Sequence, residues 1–359
     1  MNLKNSNSIN FVGDLMFGDQ PITFGYGVDS LHSKTEYSTI FLNVSDELNN
    51  SAISIGNLES IIKSRINDNK FEEWEMCCDE RICKELLKAN IPIVSLANNH
   101  SMDYGKNSFL FMKKTLESYG IKIIGLKEKP YEIISVNNKE IAIVAACYLR
   151  KKNNESLYFH NPSKDELETI FEEIGKTDYK IFYVHWGSEF VKLPTKKQLD
   201  IANEAISCGF DVIIGHHPHV LQKEYLINSK PVFFSLGNFV SDYWQKRCRD
   251  AYILQIDIAE KLEFKKINCI INKKGQPYPT FKERISLDQF NNKISNKKYQ
   301  NRERWKIRFE YLLHFSMNFY KLKDKKGLLR WLVKRIEYII TNFRREFTNP
   351  EVIYEEYKK

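Results

Sequence analysis

Apolar residues along the 359-residue chain fall into short β-branched runs separated by segments of three- and four-residue spacing. The runs Ile9–Val12, Ala52–Ile55, Ile91–Leu96, Ile121–Ile124, Ile141–Ala146, Lys180–Val184 and Asp211–Ile214 read as strands. Between them the spacing predicts helices over Asp79–Ala89, Gly105–Tyr119, Lys164–Gly175 and Thr195–Cys208, with Ser163 as the N-cap of the third. That alternation predicts a layered α/β domain. From Val220 the texture changes to strands joined by turns: Gln222–Ile227, Val232–Leu236, Tyr252–Ile258 and Glu263–Ile270. An antiparallel finishing sheet is expected there. The pattern shifts again after Gln276-Pro277-Tyr278-Pro279, and the polar stretch 291–300 reads as a linker. The expected division is a domain over 1–290 and a helical extension over 291–359. Within the extension, two helices break at Lys325-Lys326-Gly327, and Leu329, Leu332, Ile336, Ile339, Ile340, Phe343 and Phe347 form the apolar stripe of the second.

Charge sharpens that division. Residues 1–290 carry 36 Lys and Arg against 38 Asp and Glu (net −2), and residues 291–347 carry 16 against 5 (net +11). A near-neutral body therefore has a basic helical extension. A 42% hydrophobic content with 28% charged residues excludes disorder and low complexity. Seven cysteines, an odd number in a chain too long to need disulfides, point to a reducing compartment. With no apolar run of spanning length and no secretory h-region at the start, a cytoplasmic location is expected. Cys77, Cys78 and Cys83 lack the paired spacing of a structural zinc site, and Cys147, Cys208 and Cys269 adjoin apolar runs as core residues do.

Polar, metal-competent residues concentrate just past the ends of predicted strands, where layered α/β sheets place ligand sites. Asp14 follows the first strand, Asn57 and Glu59 the second, and Asn98, Asn99, His100 and Asp103 the third. His185 and Glu189 follow Lys180–Val184, and Asp211–Ile214 runs into Gly215-His216-His217-Pro218-His219. One such residue is ordinarily a turn. Five strand ends supplying Asp, Asn, Glu or His are not what turns require. Carboxylate, amide oxygen and imidazole together suit Mn²⁺, Mg²⁺, Ca²⁺ or Zn²⁺, and no cysteine adjoins these segments to make a thiolate site.

Gly13-Asp14-x-Met16-x-Gly18, Asn57-Leu58-Glu59, Ala97-Asn98-Asn99-His100-x-x-Asp103-Tyr104-Gly105, His185-Trp186-Gly187-x-Glu189, Gly215-x-His217-Pro218-His219-Val220-x-Gln222 and Ser235-Leu236-Gly237-Asn238-Phe239 resemble, in order, the signature of the CapA capsule-synthesis (poly-γ-glutamate biosynthesis) family. That family is similar to the calcineurin-like metallophosphoesterases. The resemblance covers roughly residues 8–260 and implies a four-layer α-β-β-α metallophosphoesterase-like sandwich with a C-terminal helical extension. It also implies a centre of one or two divalent ions. By the same resemblance Asp14, Asn57, Glu59, Asn99, His185, His217 and His219 are the metal-site residues, with Glu59 in the bridging position. His100, Asp103 and Glu189 are implied as proton-transfer residues. Met16 stands where the phosphoesterase pattern has a histidine, and a thioether is a poor ligand for hard ions.

The function implied is a CapA-like capsule or poly-γ-glutamate synthesis protein, a metal-dependent hydrolase acting on a phosphoester or an amide-linked anionic polymer. The partner is then an anionic polymer or a phosphorylated small molecule. The rival is a non-catalytic assembly or polymer-binding factor that keeps the fold. For the extension, the expectations are a helical hairpin packed on the sandwich through Trp305, Phe309, Leu312 and Trp331, or a peripheral membrane contact through residues 301–347. No nucleic-acid module accompanies the charge, which argues against nucleic acid.

Overall fold

The period-two runs become the strands of two stacked sheets. The computed structural model describes residues 4, 6–34, 37–63, 74–149, 156–290, 293–334 and 336. Its strands in chain order are β1 (Ser8–Leu15), β2 (Ile53–Leu58), β3 (Ile61–Ile62), β4 (Cys77–Cys78), β5 (Ile93–Ser95), β6 (Lys122–Ile124), β7 (Tyr131–Val136) and β8 (Lys139–Cys147). They continue with β9 (Tyr179–His185), β10 (Val212–His216), β11 (Leu221–Ile227), β12 (Lys230–Leu236), β13 (Asn238–Val240), β14 (Asp250–Asp257), β15 (Glu263–Ile271) and β16 (Pro277–Arg284). One sheet has the order β16-β15-β14-β1-β2-β5-β6, with β13 against the end of β1; the other is β11-β12-β10-β9-β8-β7. β1, β2, β5 and β6 are mutually parallel in the first, as are β8, β9, β10 and β12 in the second. Antiparallel strands close one edge of the first sheet and both edges of the second.

Alternation along β8 shows the layers. Ile141, Ile143, Ala145 and Cys147 point into the core between the sheets with Ile9, Phe11, Ile53 and Ile55. Ala142, Val144 and Ala146 turn the other way, onto Leu167, Ile170, Ala202 and Ala205 of the helices Lys164–Ile174 and Lys196–Cys208. Helices Ile82–Lys88 and Gly105–Ser118 bring Leu86, Phe109, Met112 and Leu116 to the first sheet. The result is the expected α-β-β-α sandwich. Ser163 caps its helix as predicted, in a capping box with Glu166, and Thr195 with Gln198 forms a second.

The strands from Val220 onward do not make one finishing sheet. β11 and β12 complete the second sheet, and β14 to β16 extend the first. β16 escapes the sequence pattern because Pro277 and Pro279 break it, and proline is tolerated on an edge strand. Cys208 is only half-buried, whereas Cys147 and Cys269 are buried.

The extension packs on the sandwich. Helix Lys297–Asn318 is capped by Asn296, whose Oδ1 accepts from Tyr299 N at 2.8 Å. After the turn Phe319–Lys321 a second helix begins at residue 325, with Asp324 Oδ1 accepting from Gly327 N at 2.8 Å. The break therefore lies over 319–324 rather than at Lys325-Lys326-Gly327, because Asp324 caps the second helix and fixes its start. Buried contacts come from Ile307, Phe315, Leu322 and Leu328. Of the predicted stripes, Phe309 is 63% exposed and Leu329 49% exposed, so both helices are rotated from the expected facing. Ile339, Ile340, Phe343 and Phe347 lie outside the described residues. Arg247 ties the first helix down through Glu303 (3.1 Å) and Glu310 (3.2 Å). No helix among the described residues is long and apolar enough to cross a membrane.

Candidate metal centre

The C-terminal ends of β1, β2, β9 and β10 carry donors into one volume between the sheets. Pairing register sets the neighbours: Asp14 lies beside Asn57 and Asn238, and His185 beside His216. Two glycines allow the close approach. A Cβ at Gly13 would stand 2.1 Å from the Gly237 carbonyl oxygen, and one at Gly215 would stand 2.2 Å from that of Phe234. Beyond β10 the chain turns through left-handed backbone at His217 (φ 93°) and His219 (φ 55°), which aims both rings at the cluster.

Donor atoms fall into three overlapping groups, each within 4.8 Å: Glu59 with His185 and His217, Glu189 with His217 and His219, and Asp14 with Glu59 and His219. Asn99 Oδ1 stands 2.7 Å from His185 Nε2. His219 Nδ1 pairs with Asn238 Oδ1 at 2.9 Å, which leaves Nε2 facing Glu59 Oε1 at 3.8 Å. Asn57 is differently placed, since its Nδ2 donates to Asp14 Oδ1 (2.8 Å) and its Oδ1 accepts from Asn98 (3.2 Å). His100 sits at the edge, with Nδ1 2.7 Å from Asp103 Oδ2 and Nε2 3.9 Å from Glu59 Oε1. Met16 is buried and lines the same cavity as His100, Glu189, His217 and His219. Trp186 packs in the helix-side core and donates Nε1–H to the Phe234 carbonyl (3.0 Å).

Burial and charge pull the site's titratable groups in opposite directions. Burial alone would raise Asp14, but hydrogen bonds and charge from His216 and His219 outweigh it and hold the carboxyl well below its usual range. Burial, reinforced by the neighbouring Asp14 charge, lifts Glu59 to about 8. Burial holds His185 and His217 well below the ordinary imidazole value, which keeps them neutral and able to ligate. His219 is carried the other way, to about 10, because Glu59 and Asp14 overcome the burial penalty.

A divalent ion fits these residues. Both carboxylate oxygens of Glu59 are buried without a hydrogen-bond partner, as is His217 Nδ1. Buried polar atoms are ordinarily paired, and a buried carboxylate lacking donors is costly unless a cation serves it. Motif reasoning passes over His216, whose Nδ1 stands 3.3 Å from Asp14 Oδ1, although it adjoins the predicted ligand His217. Asn238 stands out in the sequence only as part of a motif. The wall supplied by the C-terminal helices has no signal in motif spacing at all.

Fold and site together define an α-β-β-α sandwich with a carboxylate, amide and imidazole cluster at its strand ends. The family of bacterial capsule synthesis proteins described as PGA_cap matches residues 8–243, and the chain belongs to that family. It is 30% identical over 271 residues to the PGA biosynthesis protein CapA of Bacillus subtilis (strain 168), covering 70% of this chain and 68% of that one. It is 27% identical over 273 residues to the capsule biosynthesis protein CapA of Bacillus anthracis, covering 70% of this chain. The chain spans only 64% of that relative's length. Among solved structures, a putative 5'-nucleotidase from Staphylococcus aureus superposes with a TM-score of 0.45 at 12% identity, covering 83% of this chain and 58% of that one.

Proposed function

We propose that this chain is a metal-dependent hydrolase of capsule or poly-γ-glutamate synthesis, acting on a phosphoester. The observation that carries this reading is the pair of buried, unpartnered Glu59 oxygens among neutral imidazoles. Asp14, Glu59, Asn99, His185, His217 and His219 would hold one or two ions of the Mn²⁺, Mg²⁺, Ca²⁺ or Zn²⁺ class, with Asn57 positioning Asp14. When bound, such an ion supplies Lewis-acid polarisation of a phosphoryl or carbonyl oxygen and neutralises developing charge. The chain's own residues do the rest. Asp103 fixes the His100 ring through Nδ1, so that Nε2 can hold a proton for the leaving oxygen. Glu189 stands on the same cavity and can accept a proton from the attacking water.

In this reading residues 1–290 are the hydrolase domain and 291–359 an extension that completes its cavity. A peripheral membrane contact through residues 301–347 belongs to it, supported by exposed Phe309, Met317, Tyr320, Leu329 and Val333 beside exposed lysines. Metal analysis of the purified protein, with hydrolysis of bis-p-nitrophenyl phosphate in each ion, tests the proposal. Retained metal with ion-dependent turnover is expected. No bound ion and no turnover in any of the four would overturn it in favour of a non-catalytic assembly factor.

A further inference from the structure

The cluster opens into a cavity of about 570 Å³, within the roughly 300–1,000 Å³ typical of small-molecule sites. Its two sides have opposite chemistry. Asn99, His100, Glu189, His217 and His219 form a polar floor. Ile307, Leu312, Phe315, Trp331, Leu332 and Ile336 form an apolar wall, and all of these lie beyond residue 243, where the family match ends. Phe190 joins the two sides, 5.6 Å from Tyr243 and 6.5 Å from Tyr311 between ring centroids.

This wall is built into the fold. His314 stacks on Trp244 at 4.0 Å, Lys323 N donates to the Phe24 carbonyl at 3.1 Å, and Arg247 holds Glu303 and Glu310. A further hydrogen bond lies where wall meets floor. Gln20 accepts from Tyr311 Oη at 3.2 Å, joining the first loop to the C-terminal helix at the cavity.

Among the described residues no lysine or arginine lines the cavity, and Glu75 does. A polyanion threaded through it would lay carboxylates on hydrocarbon with no cation to meet them, at a large desolvation cost. An anionic group is served only at the floor. We propose that the cavity binds a phosphoester bearing a hydrocarbon chain, with the phosphate at the metal-ligand floor and the chain along Leu312, Phe315, Trp331 and Leu332. This assignment rests on the metal-dependent phosphoester reading above.

Calorimetric titration of the full chain in saturating Mn²⁺, below the critical micelle concentrations, tests this with ethyl phosphate, octyl phosphate and octyl glucoside. Burying three of the six additional methylenes, at roughly fourfold each, gives octyl phosphate about sixtyfold tighter binding than ethyl phosphate. Octyl glucoside, with the chain but no phosphate, should bind far more weakly. Leu312→Glu, at a position already 39% exposed, should bring the octyl-to-ethyl ratio below about threefold. Leu332→Ser provides a second, uncharged variant with the same expected direction. Equal affinity for both phosphates in the unmodified protein, or octyl glucoside binding as tightly as octyl phosphate, would overturn the proposal and leave the metal reading standing. If neither phosphate binds in any ion, the metal reading falls and this proposal falls with it.

Discussion

Asp19 should make the protein less stable as the pH rises from 5 to 7, and Asp19→Asn should remove that slope. The carboxyl is fully buried and held at about 7, first by burial and then by the charges of Asp29 and Asp242. Asp242, also raised by burial, lies at about 6. The two carboxylates meet over Gly27, where an added Cβ would be 2.3 Å from Asp242 Oδ2 and 2.7 Å from Asp19 Oδ1. Asp19 accepts from Gly25 N (2.8 Å), Ser30 N (3.0 Å) and the Ser30 hydroxyl, so it organises the loop that brings Gln20, Pro21 and Ile22 to the cavity. Unfolded, the group ionises near 3.8; folded, it keeps its proton to about 7. Below the lower value both states are protonated and nothing is lost. Between the two values only the folded state binds the proton, so stability falls as pH rises, and above the upper value the loss is complete. Three pH units correspond to roughly 4 kcal/mol in all, of which about 2 kcal/mol lies between pH 5 and 7. Urea unfolding at intervals from pH 5 to 8, in chelator, reads this directly. The variant minus wild-type difference cancels the slope contributed by the ligand histidines. Parallel pH profiles for Asp19→Asn and wild type would refute the reasoning.

Other outcomes are expected from the same geometry. His217→Ala and Glu59→Ala should each cut bound metal by at least about tenfold at equal total ion, without loss of the folded far-ultraviolet spectrum, because both remove donors from shared groups; unchanged occupancy in both would refute the ligand set. His100→Gln should lower kcat by about 10²-fold or more with metal content preserved, since the ring lies outside the three donor groups; undiminished kcat would remove His100 from proton transfer. Arg247→Ala breaks two partly buried ion pairs and should cost about 1–2 kcal/mol, seen as faster amide exchange along Lys297–Asn318; unchanged exchange there would show that apolar packing alone holds the helix.

Most of the sandwich was legible because its central strands are buried on both faces and read as unbroken apolar runs, as in Ile141–Ala146 and Val212–Ile214. Edges were not. β7 carries half-buried and exposed positions, and β16 contains two prolines, so neither keeps a sheet period. The site was legible where chemistry and strand ends coincided, at Asp14, Glu59, His185 and His217. It was not where a residue acts through a neighbour, as Asn238 does on His219. The facing of the C-terminal helices was misread by about one position, with Leu328 buried in place of Leu329, because their amphipathic pattern is weak. A three-residue spacing cannot fix the rotation of a helix that has apolar residues on two sides, and here one side meets the cavity while the other meets solvent.

That two-sidedness gives the extension's charge a meaning separate from catalysis. Lys297, Lys298, Arg302, Lys306, Lys325, Lys326, Arg330 and Lys334 are all exposed, while the same helices present Leu312, Phe315 and Leu332 to the cavity. In the proposed reading the cations act on encounter and the apolar wall on selection. The two effects separate by ionic strength, because the screening length falls from about 10 Å at 0.1 M to about 3 Å at 1 M salt. Exposed lysines lose their reach over that range, whereas burial of methylenes against Leu312 and Leu332 does not weaken. Co-sedimentation of the full chain with phosphatidylglycerol vesicles should fall steeply between those concentrations, and the octyl-to-ethyl phosphate affinity ratio should hold within about twofold. A ratio that collapsed in parallel with vesicle binding would mean that the outward cations, rather than the inward wall, recognise the ligand, and the separation of roles argued from the two helix faces would be wrong.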